Sequence, residues 1–242
     1  VSIHYENNTV ADSIQNGAWE MNQSDSLELN FSWLKSGQSD FTAELSMHDS
    51  LDAQTASFQI KVPFRQNAIT ITEILFAPNS EEGSEFFELQ NISPDTISLK
   101  NWRFKDAGTT WRLFSETDIH LAPNSFLVCA QSQLVLDYFN PPSLSIIPVS
   151  WSALNASSDS IIISDLTGKI ISSAFYSGSW GENGKSLERR HHSILPYDAS
   201  NWKTSQNIDG ATPGLENSVN LLQSDIGLAS WDNITINPIA PG

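Results

Sequence analysis

Along this chain apolar residues recur at every second position in short runs, and each run ends in a cluster of Gly, Pro, Asn, Asp or Ser; helical spacing is almost absent. Alternation places every other side chain on one face of an extended strand. The pattern therefore predicts an all-β chain built of two sandwich-type units. Before residue 67 the predicted strands are 1–5, 26–34, 40–48 and 56–62, and Leu27, Leu29, Phe31 and Trp33 share one face. Pro63-Phe64-Arg65-Gln66-Asn67 marks a boundary, because proline has no N–H to give to a central ladder. Beyond it the predicted strands are 68–76, 85–91, 96–99, 103–106, 120–130, 161–164 and 170–176. Turn residues such as Ala122-Pro123-Asn124, Asp165-Leu166-Thr167-Gly168 and Ser177-Gly178 separate most of them, and a helical turn is expected near 131–138.

The two units differ in completeness. A sandwich of the immunoglobulin type needs about seven strands and roughly 100 residues, and the segment before the boundary has room for about four strands. The last segment, from Asp225 through Ile234-Thr235-Ile236-Asn237-Pro238, reads as an opening strand pair. It resembles the first strand of the adhesion-type immunoglobulin repeats of bacterial surface proteins, and residues 1–66 resemble the later strands of such a repeat. The expected organisation is the C-terminal part of one repeat over 1–66, a complete domain over 67–220, and a linker with the first strand of a following repeat over 221–242. A window cut from a longer modular protein would leave the first unit with an open or substituted sheet edge, which the strand near Ile234 could cover.

Composition narrows the partners. A formal charge of −16, from 28 acidic and 12 basic residues, repels the phosphate backbone that a nucleic-acid binder must neutralise. No basic module hides in that average, since residues 1–66 carry three basic and nine acidic side chains and residues 67–220 carry nine and seventeen. Cys129 is the single cysteine. An internal disulfide and a cysteine-rich metal site are excluded, and its place in Phe126-Leu127-Val128-Cys129-Ala130 predicts a small buried side chain. No apolar run approaches the length of a membrane-spanning helix. A chain beginning at Val1 says nothing about a leader.

Within 67–220 a series of short words resembles the lamin-tail domain, and their order does so as much as any one of them. Ile71-Thr72-Glu73-Ile74 stands at the family's first strand and Glu85-Phe86-Phe87-Glu88-Leu89-Gln90-Asn91 at its second. Leu99-Lys100-Asn101-Trp102 with Phe104-Lys105-Asp106 comes next, and then Leu121 to Val128. Leu154-Asn155 with Ser158-Asp159-Ser160-Ile161 resembles the family's polar turn. Gly184-Lys185-Ser186-Leu187-Glu188-Arg189, Asn201-Trp202 and Ala211-Thr212-Pro213-Gly214 with Asn217-Ser218 close the series. The resemblance implies an immunoglobulin-like sandwich that binds or links rather than catalyses. It implies a non-catalytic module for spacing, display or recognition of a protein or glycan, in a large secreted or surface-anchored bacterial protein. An accessory domain attached to a secreted nuclease or other hydrolase is the alternative, because bacterial lamin-tail domains stand beside such modules. A nuclear-envelope filament tail is disfavoured, since no heptad rod precedes the domain.

The residues that invite a chemical reading are few, and no catalytic, cofactor or metal residue is assigned. In the second strand Phe86, Glu88 and Gln90 share one face while Glu85, Phe87, Leu89 and Asn91 share the other, so a simple apolar-in, polar-out rule fails. A half-buried carboxylate is expected at Glu88 or Glu85, supplied with donors by Arg189 or by backbone amides near the closing segment. Glu73, Glu85, Glu88 and Asp106 are the sharpest calcium-ligand set, but a compact Asp-rich loop is lacking and a structural role is expected instead. His191 and His192 would point to opposite sides of an extended strand, and a solvated basic turn is expected. Gly178-Ser179-Trp180-Gly181 has the wrong spacing for a nucleophile elbow, and Gly181-Glu182-Asn183-Gly184-Lys185-Ser186 the wrong spacing for a phosphate loop. Trp102 and Trp202 are expected in the core; for Trp111, Trp151 and Trp180 both core and surface stay open. The sequons at Asn30, Asn91, Asn155 and Asn233 are expected by chance in so Ser- and Asn-rich a chain.

Overall fold

The computed structural model describes residues 2–5, 8–12, 36–45, 54–79 and 83–221. In the N-terminal part, β1 (Ser2–Tyr5), β2 (Asn8–Asp12), β3 (Gly37–Leu45) and β4 (Gln54–Val62) form an antiparallel sheet ordered β2-β1-β3-β4. β3 and β4 run in register from Gly37 opposite Val62 to Leu45 opposite Gln54. That register stacks Phe41 on Phe58 at 5.3 Å and buries Phe41. The strand expected over 26–34, the end of the one expected over 40–48, and the terminal strand near Ile234 lie outside the described residues. Among the described strands β2 and β4 hold the outer positions.

The rest of the described chain runs β5 (Ile69–Leu75), β6 (Phe86–Asn91), β7 (Ile97–Ser98), β8 (Arg103–Lys105), β9 (Arg112–Leu113), β10 (His120–Leu121), β11 (Phe126–Ala130), α1 (Gln133–Phe139), β12 (Leu144–Ile146), β13 (Ser158–Ser164), β14 (Ile170–Ser177), β15 (Leu187–Arg189) and β16 (Trp202–Thr204). One sheet is ordered β12-β11-β6-β5-β15-β16, a second β14-β13-β8-β9, and β10 pairs with β7. The inner faces enclose one core. Ile69, Ile71, Ile74, Phe87, Leu89 and Leu127 from the first sheet meet Phe104, Ile161, Ile163, Ile171 and Tyr176 from the second, with Trp102 and Trp202 both buried among them. The expected all-β sandwich is present, with α1 its one α-helix among the described residues. Ser132 caps the start of α1 and Asn140, at φ 44°, ends it.

The boundary segment also joins this core. The buried ring of Phe64 meets Trp102 edge-on at 5.0 Å, its N–H donates to Asp165 Oδ2 at 2.9 Å, and Lys169 Nζ donates to its carbonyl.

Two expectations change. The single strand expected over 120–130 is two strands in different places, β10 against β7 and β11 against β6. Pro123 has no donor and Asn124 sits at φ 60°, so the ladder cannot continue through the turn. β13 starts at Ser158 instead of Ile161, because the polar Ser158-Asp159-Ser160 pairs fully with β14.

The six-stranded sheet is covered on its outer face as well. Leu75, Phe86, Val128 and Ala130 form a second cluster there with Val135 of α1 and Ala211. α1 and the closing segment 211–219 thus roof a face that would otherwise meet water. Under that roof lie the most unusual polar groups of the molecule.

Candidate functional site

The site begins with one extra residue. β5 and β6 pair with Ile71 opposite Leu89 and then with Glu73 opposite Glu88, so two steps along β5 match one along β6. A bulge of this kind breaks the in–out alternation. Ile71 and Ile74 both remain in the inner core, while Thr72 and Glu73 turn together to the outer face, where Thr72 Oγ1 donates to Glu88 Oε1 at 2.7 Å. On the other side Glu73 stands opposite Glu188 of β15. Glu88, Glu73 and Glu188 therefore cross three adjacent strands in a row, and all three are fully buried.

The closing segment supplies the donors. Glu73 Oε1 accepts from Ser186 Oγ at 2.5 Å and from Thr212 N at 2.8 Å. Glu88 Oε2 accepts from Gly214 N at 2.5 Å, and Gly214 presents that N–H from a left-handed conformation, φ 83°, that favours glycine. Glu188 Oε1 accepts from Thr212 Oγ1, and its Oε2 accepts from Ser218 Oγ and Val219 N. Glu73 Oε2 has no partner. Burial is the main force on two of these groups. It pushes the Glu73 carboxyl up to about 8 against the hydrogen bonds from Ser186 and Thr212. It also raises Glu88 well above its ordinary value, with the neighbouring Glu73 charge adding to the rise. Two carboxylates side by side in a dry site do not both ionise. The pair keeps a proton at neutral pH, and Glu73 Oε2 is the atom free to carry it.

Of the two positions expected to hold a half-buried carboxylate, Glu85 is half-buried, whereas Glu88 is fully buried in a row with Glu73 and Glu188. Backbone amides do supply donors, as expected; Arg189 does not. Its guanidinium donates to Thr70 Oγ1, His192 O and Ile194 O, all neutral acceptors. Beyond the bulge β5 and β15 no longer pair, and the side-chain amide of Asn217 fills the gap, donating to Thr72 O at 2.9 Å and to Arg189 O at 2.8 Å. Arg189 reaches past this plug to the loop instead of back to the carboxylates.

The turn expected at His191 and His192 is present: β15 ends at Arg189 and the chain turns, so the two histidines are not on a strand, and their rings stack at 4.4 Å. Burial and the nearby Arg189 charge hold both imidazoles below their ordinary value.

The four carboxylates of the calcium reading fall into two places. Glu73 and Glu88 lie in the buried row. Glu85 Oε2 accepts from Trp151 Nε1 and Leu154 N, and Asp106 accepts from Ser152 Oγ and Gly108 N. Near them Asp159, buried, accepts from Ala107 N, Asn155 N and Ser160 N. Burial, and after it the charges of Asp159, Glu85 and Asp106, push the Tyr176 phenol up, and its hydroxyl donates to Asn155 O. Among the described residues no group of three or more His, Cys, Asp or Glu is placed to hold a metal ion.

The remaining candidates are placed as follows. Cys129 is free and buried, with its thiol pushed up by burial. Trp151 and Trp180 pack partly against the core, and Lys105 Nζ stands 5.4 Å from the Trp111 ring centre. The sequon residue Asn91 is buried, and its side chain holds Asp95 O, Leu121 O and Ser93 N together. Gly178–Trp180 is a single 3₁₀ turn. Sequence reasoning passed over Glu188, Asn217 and Asp165. Glu188 had a signal, since a charged residue between Leu187 and Arg189 in a strand must face a covered or open side. Asn217 had none, because its role depends on a gap between two strands distant in sequence.

Residues 63–178 match the family model of the lamin tail domain, an immunoglobulin-like domain that is non-catalytic in general. No curated protein matches the chain. The match ends before β15, whereas the six-stranded sheet and the donors to its carboxylate row extend through Val219. No helix among the described residues is long and apolar enough to cross a membrane, which says nothing of β-barrel spans.

Proposed function

We propose that this chain is a non-catalytic structural and interaction module, used for spacing, display or ligand recognition in a large secreted or surface-anchored multidomain bacterial protein. The observation that supports it most is the state of its carboxylates. Glu73, Glu88 and Glu188 are the groups whose environment most departs from that of a surface acid, yet they are sealed under the closing segment. A general acid or base must reach a substrate proton within hydrogen-bond distance. These three instead fasten residues 211–219 to the sheet.

In this reading residues 67–220 form the lamin-tail domain, and residues 1–66 and 221–242 are parts of neighbouring adhesion-type repeats. The order β2-β1-β3-β4, with long β4 at an outer position among the described strands, suits a piece of a larger sandwich. The partner is a protein or a glycan.

The purified 242-residue protein is expected to turn over none of a panel of phosphoester, glycoside and peptide substrates. Robust turnover of any class would overturn the non-catalytic reading. The coding sequence on either side is expected to encode further repeats and a sorting signal; a nuclease or other hydrolase domain there would make this an accessory module of that enzyme.

A further inference from the structure

The turn after β15 gathers cationic side chains around a cavity of about 220 Å³ that the carboxylate row does not use. Arg189, Arg190, His191 and His192 line it, and across from them stand Glu216 and Asn217 of the closing segment. Neither Arg189 nor Arg190 has a carboxylate partner among the described residues, although acidic residues outnumber basic ones by 28 to 12 in this chain. The described hydrogen bonds of Arg189 go to Thr70 Oγ1 and to main-chain oxygens, and that of Arg190 goes to Ser200 O. Arg189 is 6% exposed and Asn217 8%. The Nε–H groups of both arginines, and Asn217 Oδ1, are buried without partners. Burial alone draws the Arg189 guanidinium down to about 10, with no carboxylate opposing it. A buried cation lacking a counter-charge is costly, and an anion that fits beside it recovers that cost.

The charge of the cavity selects among anions. Both imidazoles are held below their ordinary value of 6.5 and are neutral at neutral pH. Two guanidinium charges against the one carboxylate of Glu216 leave a single positive charge. That balance suits a monoanion; a phosphate dianion would leave a negative charge in a protein that already carries −16. The volume is below that of a drug-sized pocket, roughly 300–1,000 Å³, and suits a molecule the size of one sugar. The side-chain amides of Gln90 and Asn220 also line the cavity and can meet hydroxyl groups.

We propose that this cavity is a binding site for a small polyhydroxylated carboxylate, such as a sugar acid, with Arg190 as its principal ionic contact. The inference rests on the interaction-module reading and names the ligand class of that module.

The test is a titration of the whole protein at neutral pH and low salt, following the imidazole resonances of His191 and His192 by NMR. D-glucuronate and acetate are the carboxylate probes, D-glucose the neutral control and inorganic phosphate the competing anion. Glucuronate is expected to shift both imidazoles saturably, with glucose at least about ten-fold weaker and phosphate weaker than glucuronate. Arg190→Gln is expected to weaken glucuronate by roughly ten-fold or more. Glu216→Gln, which removes the competing negative charge and leaves both guanidiniums in place, is expected to tighten it, an effect that a damaged fold would not produce. The proposal is overturned by no saturable shift with either carboxylate, by glucose or phosphate binding as tightly as glucuronate, or by no change on either substitution. Such a failure leaves the non-catalytic reading intact, because that reading falls only to turnover.

Discussion

Glu73 and Glu88 carry the clearest consequence at the scale of single residues. A carboxyl whose folded pKa is raised holds its proton more tightly in the folded state than in the unfolded chain. Its contribution to stability is then complete below the unfolded value and is lost as pH rises through the folded one. For Glu73 that window runs from 4.5 to about 8. Stability is expected to fall across it, by at most about 1.4 kcal/mol per pH unit for one group. Urea unfolding at a series of pH values would show the slope. Glu73→Gln, which keeps the acceptor for Ser186 and Thr212, is expected to flatten it, and a wild-type profile that stays level or rises would contradict the raised Glu73 carboxyl. Part of this was legible in the sequence. Glu88 announced itself where alternation failed between Phe87 and Leu89, since a charged side chain on a covered face must find donors. Of the two donor sources expected, the backbone amides serve and Arg189 does not, because reach across a bulge depends on where a neighbouring strand ends, which local sequence does not record.

Among the elements, those that alternation alone defines were legible, including β3, β4, β5, β6 and β14. Those set by partners were not. β9, β12 and β16 have two or three residues each, too few for a periodic signal, and exist because a neighbouring strand offers them a ladder. The turn chemistry at Pro123 and Asn124 was present in the sequence, but it outranked the apolar run on both sides and sent β10 and β11 to different partners. The end of β14 depends on a close backbone approach. Gly178 N donates to Ser157 O at 2.8 Å, and a Cβ at this position would stand 2.0 Å from the Ala156 carbonyl oxygen. Because the obstacle is main chain, Gly178→Ala is expected to cost about 1–3 kcal/mol. A thermal unfolding midpoint unchanged from wild type would show that the β13–β14 end can open without penalty.

For the molecule as a whole, the closing segment decides whether the sandwich is complete. A chain ending at residue 178, where the family match stops, lacks β15 and β16 and the Ser186, Thr212 and Gly214 donors. Glu73 and Glu88 would then face an unroofed sheet edge. Such a chain is expected to lose cooperative unfolding in near-UV circular dichroism, whereas one ending at residue 221 should retain it. A cooperative transition at the wild-type temperature in the shorter chain would show that residues 179–221 are dispensable. The ordered words of 67–220, the alternation and the turn residues were enough to determine an all-β sandwich, since strand period and turn conformation are local properties of the chain. Only the tertiary structure decided that three carboxylates meet in one row, that His191 stacks on His192, and that two arginines line a cavity without a direct carboxylate partner. The carboxylate row and the cavity lining join segments far apart in sequence, the histidine stack follows from the turn after β15, and all three depend on side-chain packing that exists only once the sheets have formed.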